Sequence, residues 1–79
     1  MTIRDLKKHI KAEGTCWIWQ GAANKASGFG RAYHEGKEQQ AQVVSWKLHL
    51  GLIPHNKPYV RQRCKNVLCV NPTHLYLAE

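Results

Sequence analysis

Two cysteines and a histidine lie at equal intervals near the end of the 79-residue chain, at Cys64, Cys69 and His74. The pattern C-x4-C-x4-H is typical of a metal site, and Asn71-Pro72 bends the chain so that the three side chains can converge. A structural zinc site has four such ligands, and Cys16 is the remaining cysteine. A metal held by all four would leave no open position for water, and it would therefore be structural.

The alternative is that the three cysteines are ordinary buried thiols and that His74 is a core histidine. Size and cysteine number favour the metal. A chain this short buries only about 60% of its unfolded surface, so small domains often need a metal, a disulfide or a partner. Three cysteines cannot complete a disulfide framework, which also indicates a reducing compartment. We therefore expect one structural Zn²⁺.

The composition is strongly basic, with 12 Lys and Arg against 5 Asp and Glu, a net charge of +7. Such a field favours nucleic acid or an acidic protein surface as the partner, although a solvated basic face with no partner has the same composition. The start of the chain lacks the apolar region of a signal peptide, and no apolar run approaches the length of a membrane span. We expect a cytoplasmic protein with no membrane partner.

Two helices are predicted to position these residues. The first covers residues 2–13, begins with a Thr2–Asp5 capping pattern and ends at Gly14. The second covers residues 41–50 and ends at Gly51. Each has apolar residues at helical spacing, which are Ile3, Leu6 and Ile10 in the first and Val43, Trp46 and Leu50 in the second.

Runs of β-branched and aromatic residues predict short strands, bounded by turn residues. The strands are expected at residues 16–20, 29–34, 37–40, 58–63 and 75–78. The first three would form one small antiparallel sheet, with Glu35-Gly36 as a turn. The predicted fold class is α+β, in a single domain over residues 1–79.

Five segments, in this order and spacing, resemble the zinc-containing HNH endonucleases of phages, which are similar to the His-Cys box homing endonucleases. The segments are CWIWQGA from Cys16, GFGR from Gly28, GK at Gly36, SWKLHLGLIP from Ser45 and CKNVLCVNPTHL from Cys64. The last, C-x4-C-V-N-P-x-H-L, is the most specific. The resemblance implies a ββα-metal fold in residues 16–79, in which a hairpin carries a general-base histidine and a following helix binds catalytic magnesium. It also implies the same four zinc ligands.

The chain departs from this family where the family performs its chemistry. The base histidine precedes the first tail cysteine by two residues, and that position is Gln62, whose amide cannot accept a proton near neutral pH. The aspartate that often follows that cysteine is Lys65. The sequence ends at Glu79, where the final catalytic helix would begin, so we expect no catalytic residue and no Mg²⁺. Three other histidines could serve as a base, but we expect surface or core positions for them: His34, His49 and His55.

Positive charge surrounds Gln62. In an extended strand Arg61 and Arg63 would point away from Val60 and Gln62, and arginine can grip phosphate bidentately. The resemblance adds Arg31, at a strand position that can approach the scissile phosphate. The expected binding residues for nucleic acid or a partner are Arg31, Lys37, Arg61, Arg63 and Lys65. The alternative is that these are solvated charges that protect an edge strand.

Three functions fit these expectations. The first is a catalytically inactive, phage-encoded, HNH-derived zinc module that binds nucleic acid, with DNA favoured over RNA, in the cytoplasm of a bacterial host. The second is a protein-binding inhibitor that occupies an acidic surface of a host nucleic-acid enzyme, in an anti-defence role such as anti-CRISPR. The third is a residual HNH endonuclease completed in trans by another chain. The loss of the base favours a role other than that of an enzyme.

Overall fold

The N-terminal segment begins as a helix and then becomes a strand. In the computed structural model, which describes residues 2–79, helix α1 spans Ile3–Lys7. The predicted capping box is confirmed, because the Asp5 N–H donates to Thr2 Oγ1 and the Thr2 N–H donates to Asp5 Oδ2, each at 3.2 Å. The cap lowers the pKa of Asp5, first because the Thr2 backbone N–H stabilises its carboxylate. The predicted continuation of the helix to residue 13 is wrong.

Strand β1, Ile10–Glu13, replaces the second half of the predicted helix. It pairs antiparallel with strand β2, Cys16–Trp19, so that Glu13 faces Cys16 and Ile10 faces Trp19. Gly14, at φ +62°, forms the hairpin turn and does not end a helix. The segment forms a strand and not a helix because the strand pairs with β2 and packs Ile10 against the core.

Strands β3, Arg31–His34, and β4, Lys37–Gln40, form the second hairpin. The predicted turn is confirmed, with Glu35 at φ +54° and Gly36 at φ +76°. The predicted joint sheet of β2, β3 and β4 is wrong, because β2 pairs with β1 and the described strands form three separate two-stranded sheets.

Helix α2, Ala41–His49, follows β4 directly and ends as predicted, where the N–H groups of Leu50 and Gly51 both donate to the Trp46 carbonyl. Its predicted apolar face is displaced, since Ala41 and Val44 are in the core while Leu50 is 53% exposed. The helix sequence contains two apolar stripes, and tertiary packing selects the one that contains Val44.

Strands β5, Tyr59–Gln62, and β6, Leu75–Ala78, form the third hairpin. The chain between them includes a short 3-10 helix, Pro72–His74. The predicted alternation on β5 is confirmed, because Val60 and Gln62 are buried while Arg61 is exposed. The long connection between these strands contains three of the four predicted metal ligands.

The core lies between α1, α2 and the first two hairpins, and it also takes in the connection before β6. Its buried members are Leu6, Trp19, Ala32, Ala41, Val44 and Val70. Gly30 is required here, since a Cβ at this position would collide with the Trp19 indole. Within residues 2–79, no helix has the length and apolar character needed to cross a membrane.

Candidate metal centre

The predicted convergence of the three cysteines and the histidine is confirmed. One ligand atom from each of Cys16, Cys64, Cys69 and His74 lies within 4.8 Å of all the others. Nδ1 of His74 is 3.6 Å from Cys16 Sγ and 3.4 Å from Cys69 Sγ. A tetrahedron with metal–sulfur bonds of about 2.3 Å and a metal–nitrogen bond of about 2.0 Å has nitrogen–sulfur edges of about 3.5 Å. The four side chains therefore fit around one metal ion.

Backbone pairing brings Cys69 beside Cys16. Cys69 forms an antiparallel bridge with Ile18 of β2. On either side of it, the Trp19 N–H donates to the Leu68 carbonyl and the Val70 N–H donates to the Trp17 carbonyl, each at 2.8 Å. Residues 68–70 thus lie along β2 as a short third strand segment, which fixes Cys69 relative to the start of that strand.

A tight turn joins Cys64 to Cys69. Lys65, directly after Cys64, has φ +62°, a backbone conformation that residues with a Cβ rarely adopt. The Cys69 N–H then donates to the Asn66 carbonyl at 3.0 Å, and the Leu68 N–H donates to Asn66 Oδ1 at 3.0 Å. Asn66 therefore closes the turn that returns the second thiol to the first. We name residues 63–70 the ligand loop.

Asn71 connects the segments that carry Cys16 and His74. Its Nδ2 donates to the Thr15 carbonyl at 2.6 Å, next to Cys16. Its Oδ1 accepts from the N–H of Thr73 at 3.0 Å and from the Thr73 hydroxyl at 2.9 Å, next to His74. Sequence reasoning identified Asn71-Pro72 only as a bend. The available signal was an asparagine directly before a proline, which is a preferred start for a helical turn.

The Gln62 side chain forms hydrogen bonds that hold the ligand loop against β5. Its side chain is only 9% exposed, and Nε2 donates to the Val67 carbonyl at 3.1 Å and to the Cys69 carbonyl at 3.4 Å. The position that the family resemblance assigns to a general base therefore contains a buried donor that serves the backbone. Sequence reasoning missed this role, since the two carbonyls become neighbours of Gln62 only when the loop closes.

The thiols of Cys16 and Cys64 have shifted pKa values. The pKa of Cys16 is raised from 9.0 to about 12, first by its hydrogen bond with Cys64, then by burial and by Cys69. Burial also acts to raise the pKa of Cys64, but the Asn66 N–H and the other two thiols outweigh it and the pKa is lowered. Three adjacent thiols ionise together only if a cation offsets their charge. A divalent metal would supply that charge, and with four protein ligands it would have the closed arrangement of a structural site.

The predicted binding residues lie in two separate regions of the structure. Arg31 and Lys37 are on the β3–β4 hairpin, where Arg31 lies 3.8 Å from Glu38 in a surface ion pair. Arg61 and Arg63 are exposed on the third hairpin, and Lys65 is exposed in the ligand loop. The Arg63 guanidinium lies over the Tyr76 ring, 5.1 Å from its centroid.

The three histidines considered as substitute bases occupy different environments. His49 makes local contacts to Ser45 and lies edge-on to Trp17, with 6.0 Å between the ring centroids. The side chain of His34 is largely buried and lies 3.4 Å from the Glu35 carboxylate, whereas His55 is exposed. These positions agree with the expected surface or core roles.

No protein-family model, curated protein or solved structure matches the chain. The geometry of the four ligands and the surface beside them therefore carry the functional interpretation.

Proposed function

We propose that this chain is a zinc-stabilised, nucleic-acid-binding module of HNH-endonuclease descent with no nuclease activity of its own. The observation that carries the proposal is the continuity between the metal site and the basic strand. Arg61 lies on the exposed face of β5, Arg63 is exposed directly after the strand, and Cys64 follows Arg63. A metal on the ligand loop would therefore hold the two arginines in a fixed orientation.

Zinc is the ion that best fits the donor set. Three thiolates and one imidazole suit a tetrahedral ion without redox chemistry, and hard ions such as Mg²⁺ prefer oxygen ligands. Structural zinc contributes about 10–16 kcal/mol of apparent binding energy in small modules. The single buried core of this chain is small, so we expect folding to depend on the metal.

Metal analysis of the purified protein tests this assignment. We expect about one zinc per chain, loss of the folded circular-dichroism spectrum after chelation, and recovery after zinc is added back. Cys69→Ser should have the same effect as chelation, because Cys69 is the buried ligand. A protein that stays folded and cooperative without metal would overturn the zinc proposal.

The absence of nuclease activity rests on Gln62. An amide cannot act as a general base near neutral pH, and this one already donates to two backbone carbonyls. We expect no nicking of supercoiled plasmid with Mg²⁺, and we expect Gln62→His alone to leave the protein inactive. Nicking that copurifies with the wild-type protein and responds to Mg²⁺ would support an endonuclease instead, and nicking only after a second chain is added would support completion in trans.

Nucleic-acid binding is tested through its dependence on salt. Each phosphate neutralised on duplex DNA contributes about −0.9 to the slope of log affinity against log salt. The double substitution Arg61→Gln and Arg63→Gln should weaken binding and reduce that slope by about 1.8 if each arginine contacts one phosphate. Lys25→Gln with Lys57→Gln removes the same charge from exposed loops elsewhere and is the matched control. Failure to bind any nucleic acid at low salt would overturn the proposal.

A protein-binding inhibitor is the second candidate, and one surface favours it. After α2, Leu52 is 96% exposed and lines a cleft of about 490 Å³, together with apolar Val43 and Ile53 and with Lys47 and Glu35. An exposed leucine next to a lysine suits a partner with apolar and acidic groups, such as the acidic surface of a host nucleic-acid enzyme. A stoichiometric complex that survives nuclease treatment and is lost in Leu52→Asp, but kept in the double arginine variant, would favour this candidate.

A further inference from the structure

The outward face of the third hairpin combines arginines with tyrosines. Tyr59, Arg61 and Arg63 follow one another on the exposed side of this segment, and Tyr76 of β6 lies opposite Arg61 in the register. Tyr59 is 57% exposed. Neither strand contains an acidic residue. We name these four residues the arginine–tyrosine face.

One contact within the face holds two of its planar groups against each other. The Arg63 guanidinium lies over the Tyr76 ring, 5.1 Å from the centroid, within the range of a cation–π interaction. The backbone N–H of Arg63 also donates to the His74 carbonyl at 2.6 Å, which fixes the main chain beside that pair. Guanidinium planes and aromatic rings are the two surfaces on which proteins stack unpaired bases. A guanidinium held in this way loses little conformational entropy when a base stacks on it.

The spacing of the face suits an extended strand of nucleic acid. Alternate residues on a β-strand are about 6.7 Å apart, so Tyr59 and Arg61 form a row along β5, and Arg63 follows directly after the strand. Such a row offers stacking surfaces and positive charges in turn. Proteins that bind single strands combine a positively charged track with aromatic stacking surfaces in the same way.

We propose that the arginine–tyrosine face is a platform for single-stranded nucleic acid, with bases stacked on Tyr59 and on the Arg63–Tyr76 pair and with a phosphate held by Arg61. This inference rests on the proposed nucleic-acid binding and names the form of nucleic acid that is bound. Exposed tyrosine rings gain stacking energy from unpaired bases, whereas the bases of a duplex are already stacked on one another.

Fluorescence anisotropy with a labelled oligo-dT strand and a labelled duplex of equal length tests the proposal. At one salt concentration, the zinc-loaded protein should bind the single strand more tightly than the duplex. Tyr59→Ala should weaken single-strand binding by about 5- to 150-fold, as expected for the loss of one base stack. It should leave the salt slope unchanged, while Arg61→Gln should reduce that slope by about 0.7.

Tyr33→Ala is the matched control, because Tyr33 is 66% exposed on the β3–β4 hairpin. It should leave binding unchanged. Arg63→Lys keeps the charge but loses the plane, so weakened binding at an unchanged salt slope is expected. Zinc content and circular dichroism establish that each variant is folded, and a Tyr59→Leu variant replaces Tyr59→Ala if the latter fails to fold.

The possible outcomes separate the two proposals. Equal binding of duplex and single strand, with Tyr59→Ala no weaker than Tyr33→Ala, overturns the platform and leaves nucleic-acid binding in place. No binding of either probe at low salt overturns the proposed function and the platform together. Preferential duplex binding that depends on the arginines and not on the tyrosines overturns the platform in favour of a groove contact.

Discussion

The side-chain amide of Gln62 donates a hydrogen bond to the backbone carbonyl of Val67 at 3.1 Å, and this bond ties β5 to the ligand loop. A second, longer bond reaches the Cys69 carbonyl at 3.4 Å. Both acceptors lie in the loop that carries Cys64 and Cys69. The amide therefore positions the metal site through its backbone.

Gln62→Ala should destabilise the metal-loaded protein by about 1–3 kcal/mol, because the buried Cys69 carbonyl and the partly buried Val67 carbonyl lose a donor. Urea unfolding with excess zinc measures this change. Arg61→Ala, at the neighbouring exposed position of the same strand, should change the free energy of unfolding by less than about 0.5 kcal/mol. Equal effects of the two substitutions would contradict the bracing role of Gln62.

The sequence patterns predicted features that depend on local chemistry. The capping box at Thr2 and Asp5, the turn at Glu35-Gly36 and the spacing of the three ligands in the tail are of this kind, whereas Cys16 was identified as the remaining cysteine. The change from helix to strand after Lys7 was not predictable, because Leu6 and Ile10 fit a helical stripe as well as they fit the observed fold. Only pairing with β2 decides between the two.

The positioning residues were hidden for a similar reason. Asn71 bonds to the carbonyl of a residue 56 positions away, and Gln62 bonds to carbonyls that become its neighbours only when the loop closes. A sequence shows which side chains can donate. It does not show which carbonyls the fold will bring within reach.

Asn71→Asp should weaken metal binding by about tenfold or more, the effect typical of residues that orient ligands. The aspartate keeps the acceptor for Thr73 but loses the donor to the Thr15 carbonyl, and it places a negative charge against that oxygen. Competition with a chromophoric chelator measures the affinity for zinc. The matched control is Asn24→Asp, since Asn24 Oδ1 also accepts from two backbone N–H groups, in an exposed loop. An affinity equal to that of the control would contradict the role of Asn71.

Zinc binding near neutral pH should release at least one proton, and that proton comes from Cys16. Its pKa of about 12 means that the thiol is protonated before it binds metal. Calorimetry in two buffers with different ionisation enthalpies counts the protons, and log affinity should rise with pH with a slope of at least one. Binding that is independent of pH would exclude Cys16 as a thiolate ligand.

Ser45→Ala should destabilise the protein by about 1–3 kcal/mol, because Ser45 ties α2 to the ligand loop. The fully buried Ser45 hydroxyl donates to the Val70 carbonyl at 2.5 Å, and Val70 is itself fully buried. In the variant the Val70 carbonyl oxygen has no hydroxyl donor, and water cannot easily reach it, so it is left without a hydrogen bond. Chemical unfolding of the zinc-loaded protein measures the cost. Ser27→Ala removes an exposed hydroxyl that accepts one local bond, at 3.3 Å, and should change stability by less than about 0.5 kcal/mol. If both variants unfolded at the same denaturant concentration, the bond from α2 to the ligand loop would not contribute to stability, and the contacts of β2 with residues 68–70 would have to hold the loop without it.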